Sequence, residues 1–185
     1  MSSEVSYDKS KIKYNPYIII PIDVIIDLKP SKLNNNLYNN LVSKSKKFNG
    51  ICYKDYGYIQ EVQRIIHFDQ GILVNEFNDS SIRYQVILQC KVCYPYKNDI
   101  YYARVNVITP GYIQLIAGPM QIIVKPENNN IKNPEKLTIG TYAIIRVLNA
   151  QICHMESYII IKGELLNIID NDDEIKEMFE KQYEN

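Results

Sequence analysis

This 185-residue chain has no tryptophan, little alanine and only two histidines, His67 and His154. It also lacks the short motifs that build common catalytic and nucleotide sites. There is no G-x-x-x-x-G-K-[ST], no G-x-G-x-x-G, no G-x-S-x-G and no H-E-x-x-H. His67 has Asp69 nearby but falls in a strand pattern, where a structural histidine is the simpler reading, and His154 stands in a turn beside Cys153. Asp170, Asp172, Asp173 and Glu174 lack the spacing and glycine of a calcium loop, and a solvated acidic helix start accounts for them. The expectation is a binding protein with no catalytic residue, no metal and no cofactor.

A charge excess of one sign is missing too. The 21 basic and 21 acidic side chains cancel, which excludes a nucleic-acid binder that works by bulk charge. The distribution is uneven: residues 1–96 carry +3, residues 97–168 carry +2 and residues 169–185 carry −5. No apolar run is long enough to cross a bilayer. The stretch from Tyr17 to Ile26 is interrupted by Pro21 and Asp23 and reads as a buried strand. With no secretory signal in view, the expectation is a soluble, intracellular protein. Cys90-Lys91-Val92-Cys93 has the C-x-x-C spacing of a metal or redox site, but Cys52 and Cys153 stand alone and supply no second pair. Residues three apart on a strand also face opposite sides. Unpaired thiols suit a reducing compartment.

Asparagine, isoleucine, lysine and tyrosine are abundant, a bias expected of an AT-rich genome. The 16 tyrosines offer faces on which bases stack, yet β-rich proteins of this composition also use tyrosine as a generic strand residue.

The pattern divides the chain into a flexible arm (1–15), a small α+β domain (16–96), a β-barrel (97–169) and an acidic tail (170–185). In the first domain a strand over 16–27 ends at Lys29-Pro30-Ser31, with Ser31 a candidate N-cap. Leu33, Leu37 and Leu41, joined by Tyr38 and Val42, predict an amphipathic helix to about Lys46. Strands follow at 48–54 and 57–67 around the corner Lys54-Asp55-Tyr56-Gly57. A polar loop at Asp69-Gln70-Gly71, a short apolar run at Ile72-Leu73-Val74 and a long alternating strand over 82–94 complete the domain. The second half predicts strands at 100–108, 111–117, 120–125, 141–153 and 157–168, which match a five-stranded Greek-key OB barrel. In the tail, Asn171 to Glu174 resembles a capping box, followed by the apolar stripe Ile175, Met178 and Phe179. Such a short helix needs something to pack on.

Three motifs in this order carry a family resemblance. They are Gly50-Ile51-Cys52-Tyr53-Lys54-Asp55-Tyr56-Gly57; Arg83-Tyr84-Gln85-Val86-Ile87 leading to Tyr94-Pro95-Tyr96-Lys97; and Val107-Ile108-Thr109-Pro110-Gly111-Tyr112 followed by Gly118-Pro119-Met120. The last hairpin, with Ile145-Arg146-Val147 and Ile161-Lys162-Gly163-Glu164-Leu165, also fits. The chain resembles, over roughly residues 16–168, subunit 7 of eukaryotic RNA polymerase II and its archaeal counterpart, the stalk subunits of multi-subunit RNA polymerases. It departs from them at Val124-Lys125-Pro126-Glu127-Asn128, in an apparent one-residue insertion between Gly111 and Gly118, in its N-terminal extension and in its acidic tail. A large DNA virus with its own polymerase would account for both the divergence and the composition.

The resemblance implies a non-catalytic subunit whose N-terminal tip domain docks on the polymerase core and whose OB domain meets nascent single-stranded RNA. Docking then falls to Lys54, Asp55, Tyr56, Gly57 and Tyr58, with Asp69, Gln70 and Gly71; packing within the domain is the competing reading for the tyrosines. A groove between the domains, together with exposed apolar groups on the 82–94 strand, would hold a second stalk subunit related to subunit 4. RNA contacts are expected from Tyr102, Arg104, Tyr112, Lys125 and Arg146, against core packing for the tyrosines. The setting would be a virion or cytoplasmic viral factory, or the nucleus of a cell, with no membrane involved. The alternative is a free-standing single-stranded nucleic-acid-binding OB protein, and a third reading is an RNA-processing enzyme.

Overall fold

The structure, a computed structural model, describes residues 8–33, 36–53, 56–76, 79–125, 137–169, 176, 177 and 179. Residues 17–93 form one compact unit, and residues 94–185 with the N-terminal segment form the other. A short strand, β1 (Ile12–Lys13), comes first. Then follow β2 (Tyr17–Leu28), α1 (Leu37–Ser45), β3 (Ile51–Cys52), β4 (Tyr58–Phe68), β5 (Ile72–Glu76) and β6 (Asp79–Cys93). They make an antiparallel sheet in the order β2–β6–β4–β3, with β5 also paired to β6.

β2 and β6 pair residue by residue from Tyr17↔Cys93 to Leu28↔Ile82. Their even-numbered side chains face one way: Ile22, Val24, Ile26 and Leu28 from β2 and Tyr84, Val86, Leu88, Cys90 and Val92 from β6 are all buried. β4 obeys a different rule. Its pairing with β6 slips between Ile59 and Glu61, Val62 and Arg64, and Ile65 and His67. Each slip inserts one extra residue and turns the strand. Inward side chains therefore recur every third position: Ile59 and Ile65 are buried, and Val62 and Phe68 pack against the same core.

α1 covers this face with Leu41, which is fully buried, and with Leu37 and Val42. The helix starts later than its leucine spacing predicts. Pro30–Lys32 make a 3-10 turn with Lys29, not Ser31, at the N-cap. Leu33 leaves helical geometry and is exposed, as is Tyr38. Proline suits the first turn of a helix because its missing N–H is not needed there, so the chain spends Pro30 on a separate turn.

The second unit contains β7 (Ile100–Ile108), β8 (Ile113–Ala117), β9 (Met120–Val124), β10 (Tyr142–Gln151) and β11 (Ile159–Ile169). The order β7–β10–β11–β9–β8 closes through β8 back onto β7. β9 and β11 are parallel and the other barrel pairs antiparallel. This is the OB fold. A slip between Val105 and Val107 lets β7 pair with β10 along its first half and β8 along its second. Gly163 permits the closure: a β-carbon there would lie 2.6 Å from Ile122 Cγ2.

The described part of the arm read as mobile from its polarity, residues 8–15, makes defined contacts. Ile12 is buried and pairs in parallel with Ile100. Lys13 Nζ donates to Asp99 Oδ2 at 2.7 Å, and Tyr14 packs on Tyr102 with ring centroids 5.4 Å apart. One apolar residue, one ion pair and one ring contact tie residues 12–14 to the barrel unit. In the tail, Phe179 is buried and meets Tyr142 edge-on at 5.2 Å. The capping box at 171–174, with Ile175 and Met178, lies outside the described residues.

Candidate binding surfaces

In the unit formed by residues 17–93, the odd-numbered positions of β2 and β6 form the face opposite the core. Arg83 donates to Asp27 through Nε and Nη2 at 3.0 and 3.1 Å. Gln85 Nε2 donates to Asp23 Oδ2 at 2.7 Å. Arg64 Nε donates to Gln89 Oε1 at 2.6 Å, and Lys91 lies over the Tyr17 ring. An open pocket of about 320 Å³ is lined by Asp23, Ile25, Tyr56, Asp69, Ile72, Arg83 and Gln85. Tyr56 and Asp69, taken from two separate stretches of the expected docking surface, thus line one cavity.

The geometry separates the docking candidates. Asp69 Oδ1 accepts the backbone N–H groups of Gly71 and Gln85, both at 3.1 Å. A side-chain carboxylate there stands in for a backbone carbonyl where β4 gives way to β5 on the same edge of β6. Gly71 has φ +76, and a β-carbon there would collide with Tyr84 and Ile82, so it serves the turn. Gln70 is exposed. Gly57 has φ +89, and its carbonyl accepts from Tyr53 N–H at 2.9 Å. Tyr56 is half-buried and lies parallel to Tyr53 at 6.4 Å. Tyr58 pairs in the ladder with Cys52 on one side and Cys93 on the other, and burial raises its hydroxyl above the ordinary tyrosine value. Lys54 and Asp55 lie outside the described residues. Asp23, Ile25, Ile72, Arg83 and Gln85 were not named as docking residues from sequence. The signal for four of them was present, because they occupy the odd positions of two strands whose even positions are apolar.

On the barrel, Tyr102, Arg104 and Arg146 fall on the outer face of β7 and β10. Arg104 pairs with Tyr142, Tyr102 with Ile144, and Arg146 with Ile100. Tyr102 is only 8% exposed, so Tyr14, at 45%, presents the accessible ring of that pair. The Tyr102 ring is thus covered on the outer face of the barrel, with Tyr14 against it. Arg146 Nη1 donates to Glu164 Oε2 at 2.9 Å, which offsets its charge. Arg104 is exposed.

Tyr112 and Lys125 lie elsewhere. The pairing Ile113↔Val124 puts them at one end of the β8–β9 hairpin. Both are exposed, and the turn beneath Tyr112 is fixed by Thr109 Oγ1, which accepts its N–H at 3.1 Å. At the other end of the hairpin Ile159 N–H donates to Pro119 O at 2.8 Å, which brings up the β10–β11 loop with His154 and Met155. OB folds bind oligomers over these two strands and the flanking loops. Here the outward residues of the hairpin are Gln114, Ile116, Gln121 and Ile123, with no charge and no aromatic ring.

Three of the four thiols are packed inside. Cys52, Cys90 and Cys93 are fully buried, no disulfide joins the four cysteines, and burial pushes the Cys90 thiol up to about 12. No metal-holding cluster of His, Cys, Asp or Glu occurs among the described residues. Both histidines are exposed, so His67 is a solvated strand residue rather than a packed one. No described helix is long and apolar enough to cross a membrane.

No protein-family model matches the chain. It is 29% identical over 163 residues to a protein of Acanthamoeba polyphaga mimivirus provisionally named DNA-directed RNA polymerase subunit L376, covering 80% of this chain and 81% of the relative. It is 31% identical over 100 residues to DNA-directed RNA polymerase II subunit RPB7 of Glycine max, covering 54% of this chain and 56% of the relative. The chain is thus similar to two proteins named as subunits of DNA-directed RNA polymerases, one viral and one RPB7. The resemblance read from Gly50–Gly57, Arg83–Lys97 and Val107–Met120 therefore has support from similarity over 80% of the chain to a viral protein and over 54% to a plant protein.

Proposed function

We propose that this protein is the RPB7-like stalk subunit of a DNA-dependent RNA polymerase encoded by a large DNA virus, that it is non-catalytic, and that its two units divide the work. The unit 17–93 docks on the polymerase core through the surface around Tyr56 and the Asp69–Gly71 turn. The barrel contacts nascent single-stranded RNA, with Tyr112, Lys125 and Arg104 as the accessible groups and Tyr14 added to them. A second stalk subunit completes the assembly. The observation that carries the reading is similarity spanning 80% of this chain and 81% of a viral protein bearing a polymerase-subunit name. The α+β unit followed by an OB barrel supports it, in the order that the resemblance implies.

The competing reading, an autonomous single-strand binder, is disfavoured by the uncharged, non-aromatic outer face of β8–β9, because sequence-tolerant binders rely on stacking rings and a basic groove there. Purification of the tagged chain from cells expressing its natural partners tests the proposal. Large polymerase subunits are expected to co-purify at near-equal amounts; recovery of the chain with RNA alone would overturn it.

A further inference from the structure

The pocket bounded by Asp23, Ile25, Tyr56, Asp69, Ile72, Arg83 and Gln85 is specific enough to define its guest. We propose that it receives a basic side chain, an arginine in preference to a lysine, projecting from the polymerase subunit on which this unit docks; the identity of that partner rests on the reading above. Two carboxylates line the cavity. The hydrogen bond to Asp23 runs through Oδ2, from Gln85, and the two to Asp69 run through Oδ1, from backbone N–H groups. The lining also contains Arg83, but Asp27 holds that guanidinium with two hydrogen bonds. Asp23, Asp27, Asp69 and Arg83 together carry a net charge of −2, and the charge complement is a cation.

The walls select its shape. Ile25 is 51% and Ile72 67% exposed, apolar surface that the methylene stem of a long basic side chain covers while its head reaches polar groups. Tyr56 lines the same cavity and supplies aromatic surface of the kind that attracts a cation. A guanidinium stacks on such a ring and donates in parallel to a carboxylate, whereas an ammonium is a strongly hydrated point charge. Among the described residues β5 pairs only with β6, so a partner segment has an open strand edge beside the pocket along which to lie.

The test uses the full chain, labelled with 15N, and three capped tripeptides: Ac-Gly-Arg-Gly-NH2, its lysine equivalent and its citrulline equivalent, an uncharged isostere of arginine. The arginine peptide is expected to shift the amides of Asp23, Gly71, Ile72 and Gln85 at millimolar concentration in low salt. The lysine peptide should bind more weakly and the citrulline peptide should leave these signals in place. Asp23→Asn keeps an oxygen for Gln85 and removes one charge, and should weaken arginine binding by about fivefold. Equal response to arginine and citrulline, no response to arginine, or unchanged binding in Asp23→Asn while the remaining spectrum stays native would each overturn the proposal. These arms involve no polymerase. A chain that binds the arginine peptide but fails to co-purify with large subunits sinks the functional reading and leaves the pocket; a chain that co-purifies but ignores the peptide does the reverse.

Discussion

Gly71 has φ +76, and a β-carbon there would meet Tyr84 Cε1 at 2.7 Å and Ile82 Cγ2 at 2.8 Å. Both contacts come from side chains fixed on β6, so neither yields cheaply. Gly71→Ala should cost about 2–4 kcal/mol, from left-handed backbone strain plus overpacking. Gly111→Ala has nothing within 4 Å of the added carbon and should stay within about 0.5 kcal/mol of wild type. Urea unfolding of both variants checks the contrast. The sequence shows a glycine in a polar loop at residue 71 and nothing of the ring beside it, so the tightness of this turn is visible only in the structure. Tyr112 is the opposite case. Its ring is exposed and its role is open to test. Tyr112→Ala should weaken RNA binding by about 1 kcal/mol without changing stability, and Lys125→Gln should lower the slope of log affinity against log salt by about 0.7. Fluorescence anisotropy with a labelled single strand reads both.

At the scale of elements, most strands are visible in the alternation of apolar residues, and the exceptions have identifiable causes. β4 hides its core face because its three bulges change the period from two to three. Ile59, Val62, Ile65 and Phe68 look scattered until that spacing is tried. β1 is only two residues long and leaves no periodic signal. α1 loses a turn to Pro30–Lys32, which leucine spacing cannot reveal. The pocket escaped for a related reason: its lining comes from β2, β5, β6 and two turns, and only the pairing register brings them together.

Burial on β6 also predicts how the unit 17–93 responds to alkali. Cys90, ordinarily near 9.0, keeps its proton in the fold up to about 12. Burial likewise raises the hydroxyls of Tyr17, Tyr58 and Tyr84. Above about pH 9 the unfolded chain releases a proton that the folded chain keeps, so the unfolded state binds fewer protons and stability falls as pH rises. Cys90 contributes at most about 1.4 kcal/mol per pH unit in that window and nothing below it. The tyrosines add their share once pH passes 10. Unfolding midpoints should therefore decline from about pH 9 to 11, with a shallower decline in Cys90→Val.

At the scale of the whole molecule, an α+β unit with a built pocket precedes an OB barrel whose usual binding face is short of charge and rings. Neither unit carries a catalytic constellation among its described residues, and the net charge of zero leaves little long-range attraction for RNA. Such a chain gains from assembly: a partner holds it in place, and RNA reaches it at high local concentration. The account therefore stands on membership of a transcribing complex. Sedimentation of a native extract, with the endogenous chain followed by antibody and transcription assayed across the gradient, measures that directly. The account predicts that the chain travels with the large polymerase subunits and the RNA-synthesising activity; a chain found only at the top of the gradient, as a free monomer away from that activity, would contradict it.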